Sequence, residues 1–171
     1  LKILKASYDS QRYTFQDNFM IKFPKLIKAA EEKIECVRKD IELRNAERVK
    51  SEAFSITIDN MLYTERNDGG TAMLEEISKY KAGDTYEIGK FRGFNLLVEK
   101  NYMAINFLIL QGKNEYKAEM STSAVGNMIK LDNMFNNIEE NEEFLKKKIE
   151  QYKRDLESSK IEYEKPFVYE E

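Results

Sequence analysis

Two long segments of this chain repeat the apolar spacing of a coiled coil. In the first segment, residues 24–50, apolar side chains lie three and four residues apart at Ile27, Ala30, Ile34, Val37 and Ile41. In the second segment, residues 136–165, the same register is kept by Ile138, Leu145, Ile149, Tyr152, Leu156 and Tyr163. This alternation is typical of left-handed coiled coils. Each helix would be about 40 Å long at 1.5 Å per residue, so the sequence predicts that the two pair antiparallel as an arm.

Residues 51–135 have the pattern of a small head, mainly antiparallel β-sheet with short helices. Phe54, Ile56 and Ile58 alternate with polar residues, which predicts a strand, and residues 61–64 extend it or pair beside it. From Thr85 to Ser121 the pattern is again that of strands joined by turns. The stretch 102–110 is the most apolar strand and is expected at the centre of the sheet. The predicted fold class is therefore α+β.

Short helices and end segments complete the predicted organisation. One helix is expected from about Met73 to Lys81, and a second after a cap at Ser121 or Ser123. Residues 1–23 hold a weak amphipathic helix and a lead-in, and Pro24 either starts the next helix or marks a kink. Residues 166–171 form an extended tail. The first residue is a leucine and the last helix is acidic, so we expect this chain to be a piece of a larger protein.

The composition removes most catalytic chemistry. The 171 residues contain no histidine, which excludes Ser-His-Asp and Cys-His catalysis and histidine-bound metals. Cys36 is the single cysteine, so neither an intrachain disulfide nor a cysteine-based zinc site is expected. No P-loop, GxSxG elbow or dinucleotide fingerprint occurs. The sequence predicts a non-catalytic segment with no metal and no cofactor.

Charge and hydropathy restrict the possible partners. No signal peptide and no apolar run long enough to span a bilayer occurs in the sequence. We therefore expect a cytoplasmic protein without a membrane partner. The net charge of −3 and the pI near 5.4 argue against a strong sequence-independent grip on nucleic acid. Contact with DNA would need a local basic patch.

Five basic residues near predicted turns are the candidates for such a patch: Arg66, Lys90, Arg92, Lys100 and Lys113. Basic side chains interleaved with aromatic ones can contact phosphates and stack on bases, and Phe91, Phe94 and Tyr102 lie nearby in the sequence. The alternative is that strand alternation sends most of these aromatic rings into the core. The basic residues would then be ordinary surface charges.

A second candidate is an anion site at Gly69, Gly70 and Thr71. These residues are expected to form a turn at the start of a helix, where free N–H groups and the helix dipole favour a phosphate. The alternative is that Asp68 or Thr71 caps the helix and the glycines permit a tight turn. The nearby carboxylates of Glu75 and Glu76 point in different directions on a helix, so they predict a solvated face and no metal site.

Several segments together resemble a known family. They are residues 62–66 with Gly70 and Leu74, residues 86–94, residues 131–133, and the upstream residues 16–17 and 23–27. These segments resemble the C-terminal region of very large Swi/Snf-type (superfamily-two) DNA helicases of phages and conjugative elements. Those proteins are often fused to an adenine DNA methyltransferase. The resemblance extends from about Arg12 to the end of the chain. It implies an accessory module without catalytic motifs, whose parent would be an ATP-dependent DNA helicase, and it supplies no site residues.

Two functions remain open at this point. The first is a non-catalytic accessory module of a DNA helicase or translocase, which contacts DNA or positions the motor. The alternative is a protein–protein docking or oligomerisation module that uses the coiled-coil arm. The partners would be DNA, other domains of the same chain, or another protein. A contiguous face with Arg66, Lys90, Arg92 and Lys113 would favour DNA, whereas an exposed apolar stripe along the coil would favour a protein.

Overall fold

The computed structural model describes residues 2–164, apart from the side chains of residues 2, 3, 14–19 and 163. Its helices are α1 (Lys2–Asp17), α2 (Phe23–Lys50), α3 (Arg66–Ser78), α4 (Ala124–Asn136) and α5 (Glu139–Glu164), with a π-helical turn at Asn18–Lys22. Its strands are β1 (Ile56–Ile58), β2 (Met61–Tyr63), β3 (Asp84–Phe91), β4 (Phe94–Lys100), β5 (Asn106–Gln111) and β6 (Glu115–Glu119). The predicted α+β class is confirmed. The predicted tail at residues 166–171 lies outside the described residues.

The chain divides into two compact units, and α2 contributes to both. Within the described residues, the first unit comprises the chain up to Glu35 and again from Glu142. The second unit is Cys36–Asn141. The division falls inside α2, whereas the sequence-based ranges kept residues 24–50 together. None of the helices in residues 2–164 combines the length and apolar character needed to cross a membrane.

The described residues of the first unit, 2–35 and 142–164, are all helical. Four of the apolar positions that the heptad pattern selected are buried here: Ala30, Ile34, Leu145 and Ile149. Helices therefore pack against one another along part of the predicted seam. Pro24 is the second residue of α2, which follows α1 and the π-helical turn Asn18–Lys22 without a break in the helix. Proline has no N–H to donate to the preceding turn, and the π-helical turn lies directly before it. Of the two expectations for Pro24, the structure favours a local irregularity within a helix over the start of a separate helix.

The six strands of the second unit form one antiparallel sheet in the order β2-β1-β3-β4-β5-β6. Two of its hairpins have two-residue turns. Asp59 and Asn60 have φ values of 47° and 66°, and Arg92 and Gly93 have φ values of 45° and 89°. Positive φ at both turn positions gives the type I′ geometry that matches the twist of antiparallel strands. The predicted turn between Phe91 and Phe94 is confirmed.

The core of the second unit lies between this sheet and helices α3 and α4. The sheet supplies alternating residues from neighbouring strands, such as Leu96 opposite Leu110 and Val98 opposite Leu108. The helices supply fully buried side chains on the facing layer: Met73, Met128, Leu131 and Phe135. Ser123 caps α4, because its side-chain oxygen accepts a hydrogen bond from the N–H of Gly126. The cap expected at Ser121 or Ser123 is thus Ser123.

The second half of α2 is fixed by two buried polar side chains that the apolar pattern did not select. Asp40 and Arg44 are each only 1% exposed, whereas the predicted seam residue Ile41 is half-buried. The Asp40 carboxylate accepts hydrogen bonds from the backbone N–H groups of Lys113 and Asn114, at 2.6 and 3.0 Å, and from the Tyr116 hydroxyl at 2.7 Å. This contact joins α2 to the turn between β5 and β6.

Arg44 joins α2 to the junction between α4 and α5. Its Nη1 donates to the carbonyl oxygens of Phe135 and Asn136, both at 3.0 Å. These carbonyls belong to the last residues of α4, which have no partner within their own helix. Both terminal nitrogens of Arg44 also pair with the Glu139 carboxylate at the first residue of α5. One buried guanidinium therefore donates hydrogen bonds to the last carbonyl oxygens of α4 and to the side chain of the first residue of α5.

The prediction of a central strand from Tyr102 to Leu110 is wrong in two respects. Residues 102–105 are not part of the strand, and the strand does not lie at the centre of the sheet. Strand β5 begins at Asn106 and lies next to the edge strand β6, away from the centre of the sheet. Tyr102 is 85% exposed in the preceding loop. The side chain of Asn101 accepts hydrogen bonds from the N–H groups of Met103 and Ile105, both at 3.1 Å. This local bonding replaces the strand ladder and turns the apolar segment into a loop.

The prediction of a turn at residues 67–71 is also wrong, because α3 begins at Arg66 and includes these residues. The helix ends at Ser78, before the predicted end near Lys81. Gly69 and Gly70 lie inside α3 and are buried. A Cβ on Gly69 would lie 2.6 Å from Cγ2 of Ile56, and one on Gly70 would lie 2.3 Å from the carbonyl oxygen of Ala124. The two glycines therefore let α3 approach β1 and the start of α4 closely.

This close approach makes Gly70→Ala a diagnostic change. In an exposed helix the substitution would stabilise by about 0.5–1 kcal/mol. Here we expect it to destabilise by about 1–3 kcal/mol, because the added methyl group meets backbone atoms of α4. Urea unfolding followed by circular dichroism measures the difference. Thr71→Ala, at the exposed neighbouring position, should change stability by less than about 0.5 kcal/mol, and a stabilised Gly70→Ala variant would contradict the packing role.

Candidate functional site

An open cleft of about 300 Å³ lies in the second unit and is lined by three arginines. We call it the arginine cleft, and its lining residues are Arg48, Glu52, Phe54, Arg66, Arg92, Asp132 and Asn136. They come from the end of α2, the segment before β1, the first residue of α3, the β3–β4 turn and the end of α4. Packing of the sheet against the helices thus brings together residues that are far apart in the sequence.

Arg48 enters the cleft from the last turn of α2. Its Nη2 donates a hydrogen bond of 2.7 Å to the side-chain oxygen of Asn136. Its guanidinium carbon lies 5.9 Å from the centre of the Phe135 ring. Asn136 is the last residue of α4, so the arginine is held by a helix end and by an aromatic face. Both contacts fix the direction in which its remaining N–H groups point.

Arg92 enters from the β3–β4 turn and shares the same aromatic ring. Its guanidinium lies 4.4 Å from the centre of Phe135, and it donates a hydrogen bond to the backbone carbonyl of Ser51. Burial lowers the pKa of Arg92 from its ordinary value, and the neighbouring positive charge of Arg48 lowers it further, while Asp132 raises it. The pKa of an arginine is so high that the group stays charged. Burial of the Arg92 guanidinium is the main cause of the lowered pKa.

Arg66, the first residue of α3, forms the third side of the cleft. Its Nε donates to Oδ2 of Asp132 at 2.8 Å. Its guanidinium lies 4.8 Å from the centre of the Phe54 ring. Among the described residues, the terminal nitrogens of Arg66 make no hydrogen bond in the structure. They are available to a ligand because only Nε is used by the protein.

The ring that Arg48 and Arg92 contact, Phe135, belongs to the core. Phe135 is fully buried and meets the rings of Phe91 and Phe94 edge to face, at centroid distances of 5.7 and 5.9 Å. Edge-to-face packing of this kind holds a ring in one orientation. The guanidinium groups of Arg48 and Arg92 therefore lie against a ring that is fixed in the core.

The arrangement suits an anion that carries several hydrogen-bond acceptors. Three arginines and two carboxylates, Glu52 and Asp132, line the cleft, so its side chains carry one net positive charge (three minus two). Planar guanidinium groups bind the oxygens of phosphates and carboxylates in pairs. Within residues 2–164, no group of three or more histidine, cysteine, aspartate or glutamate side chains could hold a metal ion.

Two of the five basic residues selected from the sequence, Arg66 and Arg92, come together in this cleft. Lys90 lines a different cleft, beside Asp59 and Glu76. Lys113 lies in the β5–β6 turn with an exposed side chain. Lys100 is used structurally, because its Nζ donates to the carbonyl oxygens of Ile77 and Tyr80 at 3.0 and 2.7 Å.

The anion site predicted at Gly69, Gly70 and Thr71 does not have the predicted geometry, because these residues lie inside α3 and not at its start. The N–H of Gly69 donates to the carbonyl of Glu65 at 2.9 Å, inside the helix. Both glycines are buried against β1 and α4. The free N–H groups of α3 belong to its first turn, which begins at Arg66, before the two glycines.

Sequence reasoning missed Arg48, Asp132 and Asn136. Arg48 lies within residues 24–50, the predicted first coiled-coil helix, and was not selected as a candidate. A usable signal was present: Arg48 and Lys50 are basic residues in the last turn of α2, where cations are favoured by the helix dipole. Such residues are held near a helix end and are better placed for a site than residues along its middle.

Comparison of the chain with known protein families, with curated proteins and with solved structures finds no match.

Proposed function

We propose that this chain is a non-catalytic accessory module that contacts DNA through the arginine cleft. The observation that carries the proposal is the convergence of Arg48, Arg66 and Arg92 at one open cleft, each with its guanidinium group against an aromatic ring. Phosphodiester oxygens are the natural ligands of such a cluster. The resemblance to the C-terminal region of large DNA helicases supports the same conclusion. In that setting the module would position a motor on DNA.

The charge of the whole chain sets the strength of this contact. With a net charge of −3, the chain offers no broad attraction to DNA, so the contact depends on the cleft alone. Each phosphate neutralised on duplex DNA adds about 0.9 to the slope of log affinity against log salt. Three arginines can therefore give a slope of at most about 2.7. We expect weak binding that is lost at moderate salt.

The helices of the first unit supply the second part of the proposal. We propose that residues 23–35 of α2 pair with α5 as an antiparallel coiled-coil arm. Burial of Ala30, Ile34, Leu145 and Ile149 at heptad spacing supports the pairing.

The DNA contact is tested by a pair of double variants with equal changes in charge. Arg48→Ala with Arg66→Ala should lower the affinity for DNA by at least about tenfold and reduce the salt slope by about 1 to 2. Lys90→Ala with Lys113→Ala also removes two positive charges, but both side chains are exposed outside the cleft. This control should bind within about twofold of the wild type. Fluorescence anisotropy with labelled DNA, at low and moderate salt, measures both effects.

Two results would contradict the proposal. An equal loss of affinity in both double variants would show that general charge, and not the cleft, holds DNA. No binding by the wild-type chain at low salt would remove DNA as the partner. The docking alternative would then be preferred, and one observation already favours it: the loop before β5 exposes Tyr102 and Met103 by 85% and 81%.

A further inference from the structure

We propose that the arginine cleft binds one unpaired nucleotide of single-stranded DNA and prefers a base with an exocyclic amino group, such as cytosine. This inference rests on the proposed function and specifies its ligand. It follows from three properties of the cleft: its acceptor groups, its concave shape, and the arrangement of its guanidinium planes.

The acceptor groups are the first property. A site that binds only a phosphodiester needs donors, yet this cleft also contains the carboxylate of Asp132. Oδ2 of Asp132 is bonded to Arg66, while Oδ1 makes no hydrogen bond to any other described residue. The side chain is only 17% exposed, so Oδ1 is a partly desolvated acceptor next to three cations. A ligand that supplies an N–H group as well as an anion satisfies both sides of the cleft.

The concave shape is the second property. Base edges inside a duplex lie below the phosphates, and proteins reach them with a protruding helix or β-ribbon. A cleft of about 300 Å³ between α2, α3 and α4 cannot enter a groove, so a duplex can present only its phosphates to it. An unpaired base can be turned outward and inserted, as in most sequence-specific recognition of single strands.

The guanidinium planes are the third property. The guanidinium carbon of Arg66 lies over the Phe54 ring and that of Arg92 over the Phe135 ring, at 4.8 and 4.4 Å from the ring centres. A guanidinium plane with a ring on one side can accept a base on the other, since bases stack on arginine planes. A base stacked on Arg66 would lie beside Asp132, because Nε of Arg66 and Oδ2 of Asp132 are 2.8 Å apart. The phosphate would then contact Arg48 and Arg92.

This geometry distinguishes the two pyrimidines. A carboxylate accepts a hydrogen bond from the N4 amino group of cytosine, whereas thymine presents the O4 oxygen, another acceptor, at the same place. Two acceptor oxygens that face each other repel, so this contact is unfavourable. The two bases otherwise have similar size and stacking, so they form a matched pair of ligands.

The test measures binding of the wild-type chain to oligo(dC) and oligo(dT) of equal length and to a hairpin duplex, at low salt. We expect oligo(dC) to bind about tenfold more tightly than oligo(dT), and the duplex more weakly than oligo(dC). Asp132→Asn should reduce the preference for oligo(dC) to about twofold or less, because the amide also donates to O4. Glu75→Gln, at an exposed carboxylate of α3 outside the cleft, is the matched control and should keep the full preference.

The outcomes separate this inference from the proposed function. Equal affinity for oligo(dC) and oligo(dT) in the wild type would overturn the inference without any variant being needed. Duplex bound as tightly as oligo(dC) would also overturn it, while the proposed contact with DNA phosphates would stand. Binding to none of the three ligands would overturn the proposed function and the inference together. A preference that Asp132→Asn leaves unchanged would remove Asp132 from base recognition and overturn the placement of the base beside this carboxylate.

Discussion

Arg44→Met lowers the free energy of unfolding of the second unit by about 3 kcal/mol, as we expect from the groups it leaves without a partner. The side chain is 1% exposed and donates to the carbonyl oxygens of Phe135 and Asn136. Met fills a similar volume but offers no N–H group, and a buried polar group left unpaired costs about 1–3 kcal/mol. Urea unfolding followed by circular dichroism measures the loss.

Glu139→Gln is the control that separates the ion pair from the helix-end bonds. Glu139 is 53% exposed, and a glutamine there keeps a side-chain oxygen that accepts a hydrogen bond from Arg44, so no buried carbonyl oxygen loses its partner. We therefore expect a much smaller loss than in Arg44→Met. Similar losses in the two variants would show that the ion pair, and not the bonding to the α4 carbonyls, carries the stability.

The pair with Arg44 also gives a pH dependence. The hydrogen bond from Arg44 holds the pKa of Glu139 below its ordinary value of 4.5. The folded state therefore releases this proton more readily than the unfolded state does. The small stabilising contribution is complete above about pH 4.5 and is lost as the pH falls through the lowered pKa. Glu139→Gln should remove this part of the acid sensitivity.

Asp40→Ala is expected to be comparably destabilising, by about 3 kcal/mol, because one carboxylate is the acceptor for three donors. Two of them are the N–H groups of Lys113 and Asn114 in the β5–β6 turn, and the third is the Tyr116 hydroxyl. Hydrogen bonds to a charged group contribute about 1.5–3 kcal/mol each before the cost of burying that charge. Hydrogen exchange of the amides at 113 and 114 should accelerate strongly in the same variant.

Tyr116→Phe removes one of these three bonds and is the graded control, with an expected loss of about 1–1.5 kcal/mol. It also has a signature at high pH. Burial, followed by the hydrogen bond to Asp40, raises the pKa of Tyr116 above its ordinary value of 10.0. The unfolded state therefore loses this proton first, and stability falls as the pH rises above about 10. Tyr116→Phe should lose less stability than the wild type in that range, and an identical alkaline profile would contradict the assignment.

Local chemistry made part of this fold predictable from the sequence. The Arg92–Gly93 turn, the Ser123 cap and the strand pattern at Phe54, Ile56 and Ile58 each depend on a few neighbouring residues. The α+β class follows from these elements. The loop at Tyr102 was missed although its signal is also local, because the Asn101 side chain bonds the backbone and competes with the apolar pattern.

Other features depend on what lies across the fold, and the sequence holds no direct sign of them. Gly69 and Gly70 have the composition of a turn, and only the closeness of Ile56 and Ala124 shows that they are packing positions. Heptad counting selected Ile41, while the buried positions are Asp40 and Arg44. Apolar periodicity cannot find a buried charge, because such a residue is defined by its distant partners.

The candidate site shows the same limit. Arg66 and Arg92 were selected as isolated basic residues near turns, and the structure brings them to one cleft with Arg48. Their convergence depends on the packing of Phe135 against Phe91 and Phe94. The sequence therefore shows that these arginines are present, but it does not show that their side chains meet at one cleft.

The two polar anchors of α2 also bear on how the chain is made. Strands β3 to β6 each pair with their neighbour in sequence, and hairpins of this kind close in about 1–10 μs. Asp40 and Arg44 instead bond partners 73 and 91 residues further along, so they close long loops. On the ribosome α2 is synthesised before any of these partners. During that interval Asp40 and Arg44 offer water two charged side chains, whereas apolar residues at these positions would enlarge the exposed apolar surface that Ile34 and Val37 already give the helix.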